Sequence, residues 1–174
     1  ETRRSKAASS CRAAASRVGE GVTATRPMAL IEGLFAVLER TDNGMSLVFD
    51  ADIPADWEIG IDAGSFAEIF GNLLDNAARH ARRVVRVDAA HDAGRLSFTV
   101  DDDGPGIPPD QRDGVLRRGV RLDETGTGHG LGLSIVADLV EATGGTITLG
   151  DAPDHGLRIT LDWPDTLLTR AEPS

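Results

Sequence analysis

The chain has 174 residues, a formal net charge of −10, and 40% hydrophobic and 26% charged residues. That is enough for one ordinary globular domain, and the acidic balance, with no Lys/Arg stripe along any predicted face, excludes a nucleic-acid surface because phosphate backbones select basic patches. The N-terminus lacks the apolar core of a signal peptide and no apolar run approaches the roughly twenty residues of a membrane span. A lone cysteine, Cys11, excludes an internal disulfide framework and fits a reducing, cytoplasmic compartment.

Residues 1 to about 25, rich in Ala, Ser and Arg and broken by Gly19 and Gly21, read as a helix end and a linker. A helix is predicted from Pro27 to about Arg40, with Leu30, Leu34, Val37 and Leu38 as its apolar stripe. Ser46–Asp50 and Glu58–Asp62 read as short strands on either side of Pro54. From Ala63 to Ala81 the period turns helical, with Phe66, Phe70, Leu73 and Ala77 on one face and Glu68, Asn72, Asn76 and Arg79 on the other. Val84–Ala90 and Arg95–Val100 follow as strands around a turn at Asp92-Ala93-Gly94. Pro105–Thr127, charged and poor in continuous apolar sequence, reads as a long mobile loop of lid-like composition. Gly130–Thr143 is a predicted helix stopped by Gly144-Gly145, and Thr146–Leu149 with Leu157–Trp163 form a closing pair of strands. The order predicts an α+β, two-layer α/β sandwich, a mixed sheet covered by helices on one face.

Three groups of residues carry chemistry. Asn72 and Asn76, one helical turn apart, present two amide oxygens that suit a nucleotide-bound Mg²⁺; the alternative is a pair of solvated helix residues. Asp102 ends a strand in the pattern Asp-x-Gly-x-Gly, where an ionised carboxylate accepts a hydrogen bond from an adenine amine while Gly104 and Gly106 allow a sharp turn or a close approach; an ordinary Asp-Gly turn is the alternative. Asp101 and Asp103 read as solvated neighbours. Gly128, Gly130 and Gly132 lie at the start of an apolar helix, with Leu131 through Val140 as its apolar run, so free N–H groups there suit phosphate, unless the glycines only permit close packing. The only lysine is Lys6, which excludes a Walker-type site. Arg79, Arg118 and Arg121 are candidates to neutralise phosphate charge, and His129 either touches phosphate or shapes its loop.

On these residues the chain resembles the catalytic, ATP-binding domain of bacterial sensor histidine kinases, among the GHKL ATPases of the Bergerat fold. Asn72-Leu-Leu-Asp-Asn76-Ala looks like the N box, Asp102-Asp-Gly-Pro-Gly106-Ile the G1 box, and Gly128-His-Gly-Leu-Gly132-Leu the G2 box. Arg117–Asp123 is similar to the lid of PhoQ-like sensor kinases. The resemblance implies a catalytic domain over residues 26–165, preceded by the end of a dimerisation and phosphotransfer hairpin with its linker (1–25) and followed by a tail (166–174). It implies Mg²⁺ and phosphate binding by Asn72 and Asn76, adenine binding by Asp102, Ile107 packed on the base, and Arg79, Arg118 and Arg121 near the phosphates. His80 stands where many relatives have an adenine-stacking tyrosine, and Leu116 where the lid usually has phenylalanine.

Residues 1–25 contain no histidine, and His91-Asp92 does not match the acceptor motif, so the phosphoacceptor hairpin is expected elsewhere in a longer protein. Transfer to that hairpin and relay to a response regulator are implied, as are a parent anchored in the inner membrane with this domain cytoplasmic, a monomeric fragment and a homodimeric parent. Hydrolytic members of the superfold carry a glutamate one turn before the metal asparagine; here that position is Asn72, an amide and no general base, unless Glu68 and Asn72 are the pair. An anti-sigma-factor-type serine kinase and a nucleotide-sensing pseudokinase module are the competing readings.

Overall fold

A computed structural model describes residues 24–117 and 132–170. Helix α1 (Pro27–Leu38) begins with proline, whose fixed φ suits a first helical turn and whose missing N–H is not needed there. It buries Pro27, Ile31, Phe35 and Leu38, with Leu30 and Leu34 partly buried beside them. The expected stripe is therefore displaced, and Val37 is 63% exposed. Two overlapping apolar stripes are open to this sequence, and the packing of Phe35 on Phe49, 5.1 Å between ring centroids, selects the one that faces the sheet.

Strands β1 (Val48–Asp52) and β2 (Trp57–Ile59) lie close to their expected positions. Helix α2 (Ala63–His80) is capped by Asp62, whose side chain accepts the Ser65 N–H at 2.9 Å. It buries Phe66, Ile69, Phe70, Leu73, Leu74, Ala77 and Ala78, as the predicted stripe requires. β3 (Val84–Asp92) and β4 (Arg95–Asp102) form a hairpin whose turn residues Ala93 and Gly94 both have positive φ, the geometry that matches strand twist.

The loop expected from Pro105 contains helix α3 (Pro109–Leu116). Its sequence has no apolar stripe and it buries no residue, so periodicity could not reveal it. It is held by Val115, partly buried against the core, and by Arg112, which donates from Nε to the Ile107 carbonyl at 2.9 Å and from Nη2 to Asp151 at 2.5 Å. Helix α4 (Gly132–Ala142) ends at Gly144, φ +80°, with the Gly145 N–H bonded to the Val140 carbonyl. β5 (Thr146–Asp151) and β6 (Leu157–Pro164) follow, then a short 3₁₀ turn (Asp165–Leu167) and β7 (Leu168–Arg170).

The main sheet runs β1-β3-β4-β6-β5, with β1 parallel to β3 and the remaining pairs antiparallel. β2 and β7 form a separate antiparallel pair, so residues 168–170, in the segment expected to be a tail, are paired backbone. Alternation sends Leu96, Phe98 and Val100 of β4 and Leu157, Ile159, Leu161 and Trp163 of β6 to the helix-covered face. Phe66, Phe70, Phe98 and Trp163 form the aromatic centre, where Phe98 meets the other three edge-on at 5.5–6.2 Å. The buried Trp163 indole donates to Thr143 Oγ1 at 3.0 Å, and Gly145 must be small because a Cβ there would meet that ring.

The other sheet face is polar. One row across it reads Asp50, Arg86, Asp101, Arg158. Asp101 is only 8% exposed and takes both Nε (2.8 Å) and Nη2 (2.5 Å) of Arg158, so it is a paired group rather than the solvated neighbour expected. The partner stands fifty-seven positions away in the chain and becomes a neighbour only through the β4–β6 register.

Candidate nucleotide site

Asp102 is the last residue of β4 and is 5% exposed. Its Oδ1 accepts the N–H of Gly104 at 2.8 Å and of Leu157 at 3.4 Å. Both bonds fall on one oxygen, so among the described residues Oδ2 is the oxygen left for a ligand. Burial pushes this carboxyl above the usual carboxylate range, while the Gly104 and Leu157 donors and the nearby His80 work against that rise.

The turn after Asp102 is seated on the end of α2. A Cβ on Gly104 would run into the His80 carbonyl and lie 2.8 Å from Asp102 Oδ1, so only glycine fits. Gly106 has φ +70°, and a Cβ there would come within 3.2 Å of the Gly156 carbonyl. Asp103 Oδ1 accepts the N–H groups of Arg82, Arg83 and Val84 at 2.7, 3.0 and 3.3 Å. The expectation of a solvated Asp103 is thus corrected: the chain leaves α2 for β3 with three successive amides pointing at it. Burial works to raise its pKa, but the three amides outweigh burial and hold it below the ordinary value. Ile107, half-buried, packs on the core with its carbonyl tied to Arg112.

The second end of the site lies on α2. Asn72 and Asn76 are half-buried at the edge of the stripe that buries Ile69 and Leu73. Asn72 Nδ2 donates to the Glu68 carbonyl at 2.8 Å, which orients its Oδ1 outward. A Cβ on Gly132 would lie 3.8 Å from that oxygen, so the first residue of α4 stands beside Asn72. α2 and α4 pack side by side, which is how two motifs some sixty residues apart meet. Arg79 pairs with Asp75, Nη2–Oδ2 2.8 Å, one turn back on the same helix. His80 is exposed at the end of α2, beneath Gly104. Arg118, Arg121, Gly128, His129, Gly130 and Leu131 lie outside the described residues.

Two neutral amide oxygens one turn apart form an incomplete shell, the kind of donor set that fits Mg²⁺, which keeps waters and takes its remaining ligands from substrate phosphates. The candidate site therefore has two ends, one at Asp102 with its glycines and one at Asn72 beside the start of α4. Sequence reading missed Asp103, Gly156, the Leu157 amide and Arg112. Gly156 appears in the sequence only as a turn glycine between two strands, and no local signal says that it lies against Asp102.

Residues 61–167 match the family of histidine kinase-, DNA gyrase B- and HSP90-like ATPases. Sensor protein kinase CarS of Pseudomonas aeruginosa is 46% identical over 125 residues, covering 72% of this chain and 28% of its own. The virulence sensor histidine kinase PhoQ of Salmonella typhimurium is 32% identical over 149 residues, covering 83% and 31%. The chain thus spans under a third of the length of these curated relatives. Among solved structures, the mycobacterial sensor histidine kinase MprB superposes with a TM-score of 0.71 at 27% identity, covering 83% of this chain and 97% of that one. Full-length ShkA in complex with AMPPNP gives 0.71 at 25% identity, covering 91% and 35%. With more than half of its length matched and its two-layer fold shared with these kinases, the chain belongs to the histidine kinase-, DNA gyrase B- and HSP90-like ATPases.

Proposed function

We propose that this domain binds Mg·ATP and delivers its γ-phosphate to a histidine on a helical hairpin supplied by another segment or chain, for relay to a response regulator. The observation that carries the reading is the meeting of Asn72 Oδ1 with the start of α4 in the same domain as the buried, one-sidedly satisfied Asp102 carboxylate. Asp102 Oδ2 accepts the exocyclic amine of adenine, and Gly104, Gly106 and Ile107 shape the wall beside it. Asn72 and Asn76 hold Mg²⁺, which neutralises phosphate charge when bound. Arg79, released from Asp75, approaches the phosphates, with Arg118 and Arg121 from the segment after α3 and the G2 residues Gly128, His129, Gly130, Leu131 and Gly132 around the triphosphate. Transfer then requires in-line attack by the histidine nitrogen on the γ-phosphorus as the bond to ADP breaks, so the domain's task is positioning and charge stabilisation. Asn72 offers no base to activate water, so hydrolysis is slow.

Among the described residues no helix is long and apolar enough to cross a membrane. We assign the domain to the cytoplasmic side of a membrane-anchored, homodimeric parent, as its resemblance to the sensor-kinase family implies. The test is incubation with γ-labelled Mg·ATP and an acceptor hairpin supplied in trans. Label on the hairpin that is stable to base and lost in acid supports the reading. Acid-stable label on serine, or saturable nucleotide binding without transfer to any hairpin, overturns it in favour of a serine kinase or a nucleotide-sensing module.

A further inference from the structure

We propose that Gly156 and the Leu157 amide, in the turn between β5 and β6, are positioning elements for nucleobase recognition: they hold Asp102 with a single oxygen facing the ligand and so set the preference for adenine over guanine. The proposal rests on the reading that Asp102 meets the base. Adenine offers an amine donor where guanine offers a carbonyl acceptor, so a carboxylate oxygen at that point attracts one base and repels the other. The discrimination depends on where the oxygen is held, because a carboxylate free to turn or withdraw lets a water or a different edge of the base intervene.

Three observations place the β5–β6 turn in control of that position. The Leu157 N–H donates to Asp102 Oδ1, from fifty-five residues away. A Cβ on Gly156 would collide with the main-chain oxygen of Asp102 and lie 2.8 Å from its Oδ1, so the turn is pressed against the very residue that meets the base. From the other side Gly106 closes on the Gly156 carbonyl. The turn itself is stiff. Ala152 donates to the Gly156 carbonyl at 3.0 Å, His155 donates to Ala152 at 3.2 Å with φ +66°, and Asp154 is paired with Arg86 at 3.2 Å on the open sheet face. At Gly150, in the same hairpin, a Cβ would meet nothing within 4 Å, so the demand for glycine at 156 comes from Asp102 and not from the hairpin.

The experiment compares the parent protein, Gly156→Ala and Gly150→Ala by calorimetric titration with Mg·ATP, Mg·GTP and Mg·tripolyphosphate. Gly156→Ala is expected to lose roughly ten- to a hundredfold in Mg·ATP affinity, the range of one charged hydrogen bond. It is expected to lose less for Mg·GTP and nothing for tripolyphosphate, so the base preference narrows; Gly150→Ala should match the parent. Should Gly156→Ala not fold, the parent alone answers through the Leu157 amide resonance, which is expected to move with adenosine and stay still with tripolyphosphate. A folded Gly156→Ala protein with the parent's ATP-to-GTP ratio, or a Leu157 amide indifferent to adenosine, overturns the proposal. A parent that binds no nucleotide overturns the ATP-site reading itself, and the proposal with it.

Discussion

The two ends of the candidate site, Asp102 and its glycines for the proposed base and the asparagines for the proposed phosphates, are built by different means. Around Asp102 the contacts run through backbone: Gly104 on the His80 carbonyl, Gly106 on Gly156 and Gly156 on Asp102 main chain to main chain, and the Asp103 carboxylate on three successive amides. At the other end Asn72, Asn76 and Arg79 stand on the polar face of a helix, with their reach set by side-chain rotamers. A close-packed backbone junction cannot absorb one added methyl, whereas a helix face tolerates exchange and loses only the function of the side chain removed. On the proposed reading, base recognition is thereby tied to the stability of the domain, and phosphate handling is largely separable from it.

The largest effect is expected from Gly104→Ala, which should abolish measurable Mg·ATP binding and destabilise the domain by about 1–3 kcal/mol through overpacking. Asn76→Ala is its counterpart and should unfold within about 0.5 kcal/mol of the parent while losing Mg²⁺-dependent binding. Paired denaturant melts and titrations measure both, and equal destabilisation by the two would erase the contrast between the ends. Asp102→Asn comes next, with a roughly ten- to a hundredfold loss of Mg·ATP affinity by calorimetry as one charged acceptor is exchanged for an amide; unchanged affinity would remove Asp102 from the base end.

Arg112→Ala should cost about 1 kcal/mol or more, because it frees the Ile107 carbonyl and the α3 helix from Asp151. Hydrogen exchange over residues 105–116 reads this directly, and unchanged protection there would show that α3 is held by other means. A smaller effect concerns pH. The folded Asp102 carboxyl has its pKa raised from 3.8. A raised group contributes stability that is fully present below the unfolded value and is lost as pH rises through the folded value. The parent should therefore gain stability relative to Asp102→Asn as pH falls from neutrality toward 3.8, while its ATP affinity falls over the same interval as the carboxylate is protonated. Parallel melts and titrations across that window check the two opposite signs. The smallest expected change is from Asn72→Glu, a modest gain in ATP hydrolysis from a new base one turn before Asn76; unchanged turnover would count against the assignment of Asn76 to the metal.

Much of this protein is set by order along the chain. The helix over residues 63–80, its apolar and polar faces, the β3–β4 and β5–β6 pairs and the three glycine- and asparagine-bearing groups follow from periodicity and turn chemistry, which act between residues a few positions apart. Other features were decided by partners distant in sequence. β2 finds β7 across more than a hundred residues, Asp101 is neutralised by Arg158, the α1 stripe is selected by Phe49, and α3, which has no apolar stripe, is tied by Arg112 to Ile107 and Asp151. The site divides in the same way. Asp102, Asn72 and Asn76 stand out as candidates because the proposed chemistry demands those residue types in a local pattern, whereas Gly156 and Leu157 meet Asp102 only through close approach and a backbone N–H, neither of which leaves a mark on residue type that the sequence alone can reveal.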